Sequence, residues 1–414
     1  MRASNTTRWA KSKLFSGSGG FKGTGILANP MAERLYFDWN ATAPLRPEAH
    51  AAMSAALALT GNASSVHAEG RAARAAIEDA RLKVAALVGA EARNVTFTSG
   101  ATEANMLALT PAIEVGGRKE PRGRLFVSAV EHPSVKSGGR FAAGSVETLP
   151  VNGDGIVDLH TLKIAVHRAA QPLVSVLLAN NETGVVQPIA EIAAIVHAAN
   201  GILHVDSVQA PGRIPVDIEA LGADLLTLSS HKIGGPQGAG ALVRRENLHI
   251  AEPLIKGGGQ ERSQRAGTEN VAAIAGFGAA AAMAMQADTQ HMAALRDRLE
   301  TGLKSANSGV VIFGESVSRL PNTALFAVPG LKAETVLIAL DLNGIAVSSG
   351  SACSSGKVAA SHVLASMGVE PALARGAIRV SIGPTTTEAE IERFLATWRT
   401  LLGSLLKGRR EIAA

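Results

Sequence analysis

His204-Val205-Asp206-Ser207-Val208-Gln209 and, further on, Ala223-Asp224-Leu225-Leu226-Thr227-Leu228-Ser229-Ser230-His231-Lys232-Ile233-Gly234-Gly235-Pro236 share one design. Each is an apolar, β-branched run that ends in a polar residue and then in small residues. Such runs predict two short strands with functional groups at their carboxyl ends, which places Asp206 and Lys232 on one rim. Working outward, further strands are expected over 95–98, 124–129 and 173–179, a helix over 189–199, and an antiparallel return over 239–244. Strands alternating with helices predict an α/β fold with a mostly parallel sheet flanked by helices, whose ligand sits beyond the strand carboxyl ends. His132, Asn181, Asp206, Gln209 and Lys232 each lie just past such an end.

A lysine among Ser, His, Gly and Pro at the end of a buried strand is poorly placed for a solvated charge. Losing water lowers its basicity and makes it a candidate imine-forming nucleophile. A nearby aspartate could hold a protonated ring nitrogen. Together they are what pyridoxal phosphate requires, a Schiff-base lysine and a carboxylate that keeps the pyridinium protonated. On these residues alone, a turn lysine paired with a strand-end aspartate stays equally open. Ser99-Gly100-Ala101-Thr102-Glu103, between a strand and a helix, would offer free N–H groups and a positive dipole end to a phosphate, with the Thr102 hydroxyl as a further donor. An ordinary capped helix start reads the same way. No P-loop or G-x-G-x-x-G is present, which argues against a nucleotide or a nicotinamide Rossmann enzyme.

The 414 residues, 46% hydrophobic with 43 glycines and only 3% aromatics, suit a large α/β protein of more than one domain. Of 40 basic residues, five (Arg2, Arg8, Lys11, Lys13, Lys22) lie in residues 1–30, which hold no acid; the rest balances 35 acidic residues. The net charge of +5 therefore belongs to this leader, and no basic groove argues for nucleic acid. Residues 1–30 lack an apolar face and are expected to be a disordered leader or a mis-called start before Met31, rather than a transit peptide. The apolar run 271–285 falls short of a membrane span and reads as a buried helix. A single cysteine, Cys353, excludes an intramolecular disulfide or a cysteine-cluster metal site, and makes a reducing, cytoplasmic setting the default. A large domain over 42–290 and a smaller α+β domain of 31–41 plus 291–414 are expected. The last helix, over 388–406, has a core-facing stripe (Ile391, Phe394, Leu395, Trp398) behind a Thr387/Glu390 capping box.

In the smaller domain, Ser348-Ser349-Gly350-Ser351-Ala352-Cys353-Ser354-Ser355-Gly356 surrounds the only thiol with tiny residues, which suits an exposed nucleophile better than a buried apolar cysteine. With Thr98-Ser99-Gly100-Ala101-Thr102-Glu103, Glu131-His132, Asn180-Asn181-Glu182-Thr183-Gly184, His204-Val205-Asp206, Ser229-Ser230-His231-Lys232, Gly257-Gly258-Gly259-Gln260-Glu261-Arg262, Arg265-Ala266-Gly267-Thr268 and Ile378-Arg379, the chain from Tyr36 to about Leu406 resembles the NifS/IscS-type cysteine desulfurases of the class V aminotransferase group. Each motif alone is weak, but their joint presence in this order is specific.

The resemblance implies PLP fold type I, with pyridoxal phosphate on Lys232, which also moves the substrate Cα proton. It implies that Asp206 pairs with the pyridinium, Asn181 and Gln209 approach the ring hydroxyl, and His132 stacks on the ring and assists proton transfer. Ala101, Thr102, Ser229 and His231 would bind the phosphate, with Thr268 reaching it from the other subunit of a homodimer. Arg379, with Asn181, would bind the substrate carboxylate, where bidentate geometry favours Arg over Lys. L-cysteine would leave as L-alanine, its sulfur passing to Cys353 as a persulfide. With no second cysteine to resolve it, an acceptor such as an iron–sulfur scaffold would carry the sulfur toward a cluster or a thiolation. Ser354-Ser355-Gly356, where the family often has Thr first, and Asn40-Ala41-Thr42-Ala43-Pro44 depart slightly from the pattern and leave the acceptor open. A class V aminotransferase, a selenocysteine lyase and a non-catalytic scaffold are the competing readings.

Overall fold

The structure, a computed structural model, describes residues 34–119, 121–350 and 361–412. Cys353 and the leader 1–30 lie outside the described residues. From Leu35 onward the chain forms one compact unit. Its large sheet has seven strands in the order Val95–Thr98, Gly240–Arg244, Leu225–Ser229, Ile202–Asp206, Leu173–Leu177, Leu125–Ser128 and Val146–Leu149. The last five run parallel, and Gly240–Arg244 is antiparallel to both neighbours. Continuous apolar runs suit this position, because helices cover both faces and every residue of Leu173–Leu177, Ile202–Asp206 and Leu225–Ser229 is buried. Asp206 stands opposite Leu177 and Thr227, so three strand ends converge at one rim.

On one face the helices Ala68–Leu87 and Val271–Ala284 bury Ala73, Ile77, Ala80 and Val84 with Ile274, Phe277, Ala280 and Ala281. Small residues permit this approach: a Cβ on Gly278 would lie 2.5 Å from the Ala80 Cα. The run 271–285 is thus a core helix, and no single described helix is long and apolar enough to cross a membrane. The strand Val146–Leu149, the helix Leu159–His167, and an antiparallel ribbon of Ile113–Val115 with Leu248–Ile250 are not expected from the sequence.

A second, antiparallel sheet joins Val311–Ile312, Thr323–Ala327, Ile378–Ser381 and Ser348–Ser349. Leu35–Tyr36 pairs beside it with Ile345–Ala346, and Phe37 packs on Phe394 with ring centroids 5.9 Å apart. The terminal helix Glu388–Ile412 buries Ile391, Phe394, Leu395 and Trp398 against this sheet. Its capping box forms, with Thr387 N donating to Glu390 Oε2 at 2.7 Å and Glu390 N to Thr387 Oγ1 at 3.3 Å.

Between the parallel strands, His204 is fully buried and hydrogen-bonded to Ser175 Oγ at 2.8 Å and Thr227 Oγ1 at 2.9 Å. Burial pushes its pKa from 6.5 down to about 4, opposed only in part by Asp206. As pH falls below 6.5 the unfolded chain takes up a proton that the folded chain refuses, so stability drops toward pH 4, by about 3 kcal/mol for this group. Glu182, pushed up to about 7 by burial, acts with the opposite sign, so the comparison must be with a variant. His204→Asn is expected to flatten the fall in urea-unfolding free energy between pH 6.5 and 5; parallel curves would refute the assignment.

Candidate active site

The strand ends open into a cleft of about 640 Å³. Ala101, Thr102, His132, Asn181 and Asp206 line it, as do Gln209, Ser229, His231, Lys232 and Arg379. Thr268 is exposed in the single chain and is not among the lining residues.

Asp206, the last residue of its strand, is 7% exposed. Its Oδ2 accepts from Asn105 Nδ2 at 2.9 Å and its Oδ1 from Val208 N at 3.1 Å. The same Asn105 nitrogen donates to Ser134 Oγ at 2.9 Å, and Ser134 Oγ meets His132 Nδ1 at 2.7 Å. Because the Ser134 backbone N–H also donates to His132 Nδ1, that nitrogen is an acceptor and the imidazole proton sits on Nε2. Burial lowers the His132 pKa, against the pull of Asp206, so the ring stays neutral at neutral pH.

Lys232 closes a short 3₁₀ turn, Ser230–Lys232, directly after its strand. The sequence suggested a poorly solvated lysine. The fold instead supplies acceptors: half-buried, its Nζ donates to Asn40 O at 2.6 Å and to Ala41 O at 2.7 Å. His231 Nδ1 lies 3.1 Å from Thr42 Oγ1, and burial together with Lys232 lowers its pKa to about 4. The segment around 40–43 therefore lies across the lysine turn, fastened by Ala43 N to His231 O at 2.9 Å.

The helix Ala101–Ala108 begins at Gly100, which offers no side-chain cap. A Cβ on Gly240 would come within 2.5 Å of the Gly100 carbonyl carbon, so glycine there lets the antiparallel strand pass under this turn. Glu103 accepts from Ser99 N at 2.8 Å and pairs with Arg265 Nε at 2.9 Å. Burial raises its pKa, but Arg265 and Ser99 outweigh that and hold it below the ordinary value.

Arg379 enters from the second sheet and is 1% exposed. Its Nη2 pairs with Asp38 Oδ1 at 2.7 Å and its Nη1 donates to Asn181 O at 2.9 Å. Its Nε has no hydrogen-bond partner among the described residues. Asp38, Asn40, Asn105 and Ser134 were all missed in the sequence. Asn105 carried a usable signal, a polar residue within the apolar run Met106, Leu107, Leu109 of a short helix.

The class-V aminotransferase family matches residues 35–394. The chain belongs to that family. A cysteine desulfurase of Cereibacter sphaeroides is 42% identical over 369 residues, spanning 88% of this chain and 94% of that protein. The cysteine desulfurase IscS of Dictyoglomus turgidum is 39% identical over 388 residues, 90% of this chain and 97% of its own. Among solved structures, a NifS-like protein from Rickettsia africae superposes with a TM-score of 0.81 at 38% identity, covering 90% of this chain and 100% of that one. The expected family and the PLP fold type I architecture are borne out.

Pyridoxal phosphate is the cofactor of this family, and the donor set fits it. A carboxylate fixed from two sides could hold a protonated ring nitrogen, and a neutral imidazole could lie against a ring. An uncapped helix start with Thr102, Ser229 and a neutral His231 could receive a phosphate.

Proposed function

We propose that this chain is a cysteine desulfurase that takes sulfur from L-cysteine, releases L-alanine and carries the sulfur as a persulfide on Cys353. The observation that carries the reading is one cleft holding Lys232 and Asp206 from the parallel sheet together with Arg379 from the other. When bound, pyridoxal phosphate supplies an electron sink for charge at the substrate Cα. Asp206, held by Asn105 and Val208 N, would keep the ring nitrogen protonated, and Asn181 and Gln209 would serve the ring oxygen. His132, with its proton on Nε2, would support the ring. Ala101, Thr102, Ser229 and His231 would hold the phosphate. Thr268, exposed here, completes that site in the second subunit of a homodimer.

Arg379, its Nε buried without a described partner, binds the substrate carboxylate. Lys232 Nζ would hold the cofactor and move the Cα proton. The Cys353 thiolate attacks the substrate sulfur: an S–S bond forms, the carbon–sulfur bond breaks, and its electron pair stays with the alanine carbon, which takes up a proton. The separate apolar cores of the two sheets support the division into 42–290 and 31–41 with 291–414. A cytoplasmic setting and delivery of sulfur to an acceptor protein for iron–sulfur cluster assembly or thiolation complete the reading.

Mass spectrometry after incubation with L-cysteine is expected to find one added sulfur on the peptide containing Cys353. Cys353→Ala should keep the cofactor and lose sulfide release. Undiminished release from that variant would overturn the reading.

A further inference from the structure

Behind the cleft lies a buried cation that the proposed chemistry leaves unused. Arg213 is 6% exposed, and no carboxylate pairs with it among the described residues. Its Nη1 donates to Gln209 O at 2.9 Å and to Gln209 Oε1, and its Nη2 reaches Lys232 O at 3.5 Å. A small cavity of about 20 Å³ is lined by both Arg213 and Lys232, and Arg213 is not among the residues lining the cleft.

A guanidinium can only donate, so the carbonyl end of the Gln209 amide must face it. The amide nitrogen is thereby turned the other way, where Nε2 donates to Asn40 O at 3.0 Å, the same oxygen that receives Lys232 Nζ. Gln209 lines the cleft, and an amide nitrogen carries two hydrogens, which leaves one N–H for a ligand there. Burying an unpaired guanidinium is costly, and desolvation with the neighbouring charge of Arg379 lowers its pKa to about 9, still cationic at neutral pH.

We propose that Arg213 is a positioning residue: it locks the Gln209 amide with its N–H toward the cofactor's ring oxygen and sets a fixed positive charge behind Lys232. Both effects favour the unprotonated linkage between Lys232 and the cofactor, the first by donating to the ring oxygen when it is most anionic, the second by like-charge repulsion. The other ionisable groups around Lys232 are Glu103, His132, Asp206, His231 and Arg379 in the cleft and Arg46 beside the small cavity, with Glu131 buried beside Asp206. Substituting Arg213 removes none of them, and its charge is coupled to that of Arg379.

The inference rests on the proposed cofactor use, and the test separates the two. The pH dependence of the bound cofactor's visible absorbance is measured in the holoenzyme. Arg213→Met is expected to raise the midpoint by about one pH unit, a tenfold gain in proton affinity. Arg213→Lys, which keeps a charge and a donor, should recover most of the shift. Should Arg213→Met not fold, Gln209→Glu reads the same proposal, since its carboxylate accepts from Arg213 but has no N–H to present; its midpoint should also rise. An unshifted midpoint in a cofactor-loaded variant overturns this inference, whereas wild-type protein that takes up no cofactor overturns the reading beneath it.

Discussion

Lys232→Ala is expected to slow sulfide release from L-cysteine by at least about 10²–10⁴-fold, the usual contribution of one positioned proton-transfer group. Loss of the covalent hold on the cofactor adds to that. No second lysine is among the described residues lining the cleft, and the two histidines there are kept neutral by burial, His231 with a pKa of about 4. Both are held at Nδ1, His132 by Ser134 and His231 by Thr42, and an imidazole cannot form the imine that a primary amine forms. The fold should survive: Asn40 O and Ala41 O lose one donor at a half-buried site, a cost of about 1 kcal/mol. Borohydride reduction followed by peptide mass mapping should find the cofactor on Lys232 in the wild type and on no peptide of the variant. A variant that turns over near the wild-type rate would remove Lys232 from the mechanism.

That experiment tests what the sequence made most legible. A strand buried on both faces reads as a near-continuous apolar run, so Ile202–Asp206 and Leu225–Ser229 announced themselves, and their polar ends pointed to Asp206 and Lys232. Val146–Leu149 did not: it is an edge strand with Glu147 and Thr148 exposed, and four residues of that composition look like a loop. The ribbon of Ile113–Val115 with Leu248–Ile250 joins segments far apart in sequence, which no local periodicity reveals.

The site divides in the same way. Residues placed by their own strand ends were readable, whereas those brought in by tertiary packing were not. Asn40 reaches Lys232 because Ala43 and Arg46 tie their segment to 231–234, and Asp38 reaches Arg379 because it bridges to Ser381. Neither approach has a counterpart in the linear pattern. Cys353 was singled out by composition alone, and its segment lies outside the described residues.

The largest expected effect on stability is at a buried ion pair on the sheet's open edge. Glu261 and Arg81 are bidentate partners, with Nη1 to Oε2 at 2.6 Å and Nη2 to Oε1 at 2.8 Å and side chains 2% and 5% exposed. They also close the edge strand Val95–Thr98: Phe97 N donates to Glu261 Oε2 at 2.8 Å, and Arg81 Nη1 donates to Val95 O at 2.9 Å. The Arg81 guanidinium lies 4.8 Å from the centre of the Phe97 ring. Two side chains thus do for this edge what another strand would do.

Holding Glu261 there requires Glu261, Arg262 and Ser263 to adopt φ of 47°, 55° and 63°, a left-handed turn that costs non-glycine residues roughly 1–2 kcal/mol each. Glu261→Ala removes one partner of a buried pair, for which about 3–5 kcal/mol is usual, and leaves the Phe97 N–H without its acceptor. Glu261→Gly relieves the backbone at one of the three positions and so separates the terms. The pair outweighs the strain, so the glycine variant should still be destabilised by about 2–3 kcal/mol. Urea unfolding of both variants measures this. Loss of less than about 1 kcal/mol in Glu261→Ala would mean that the edge is held by something other than this pair.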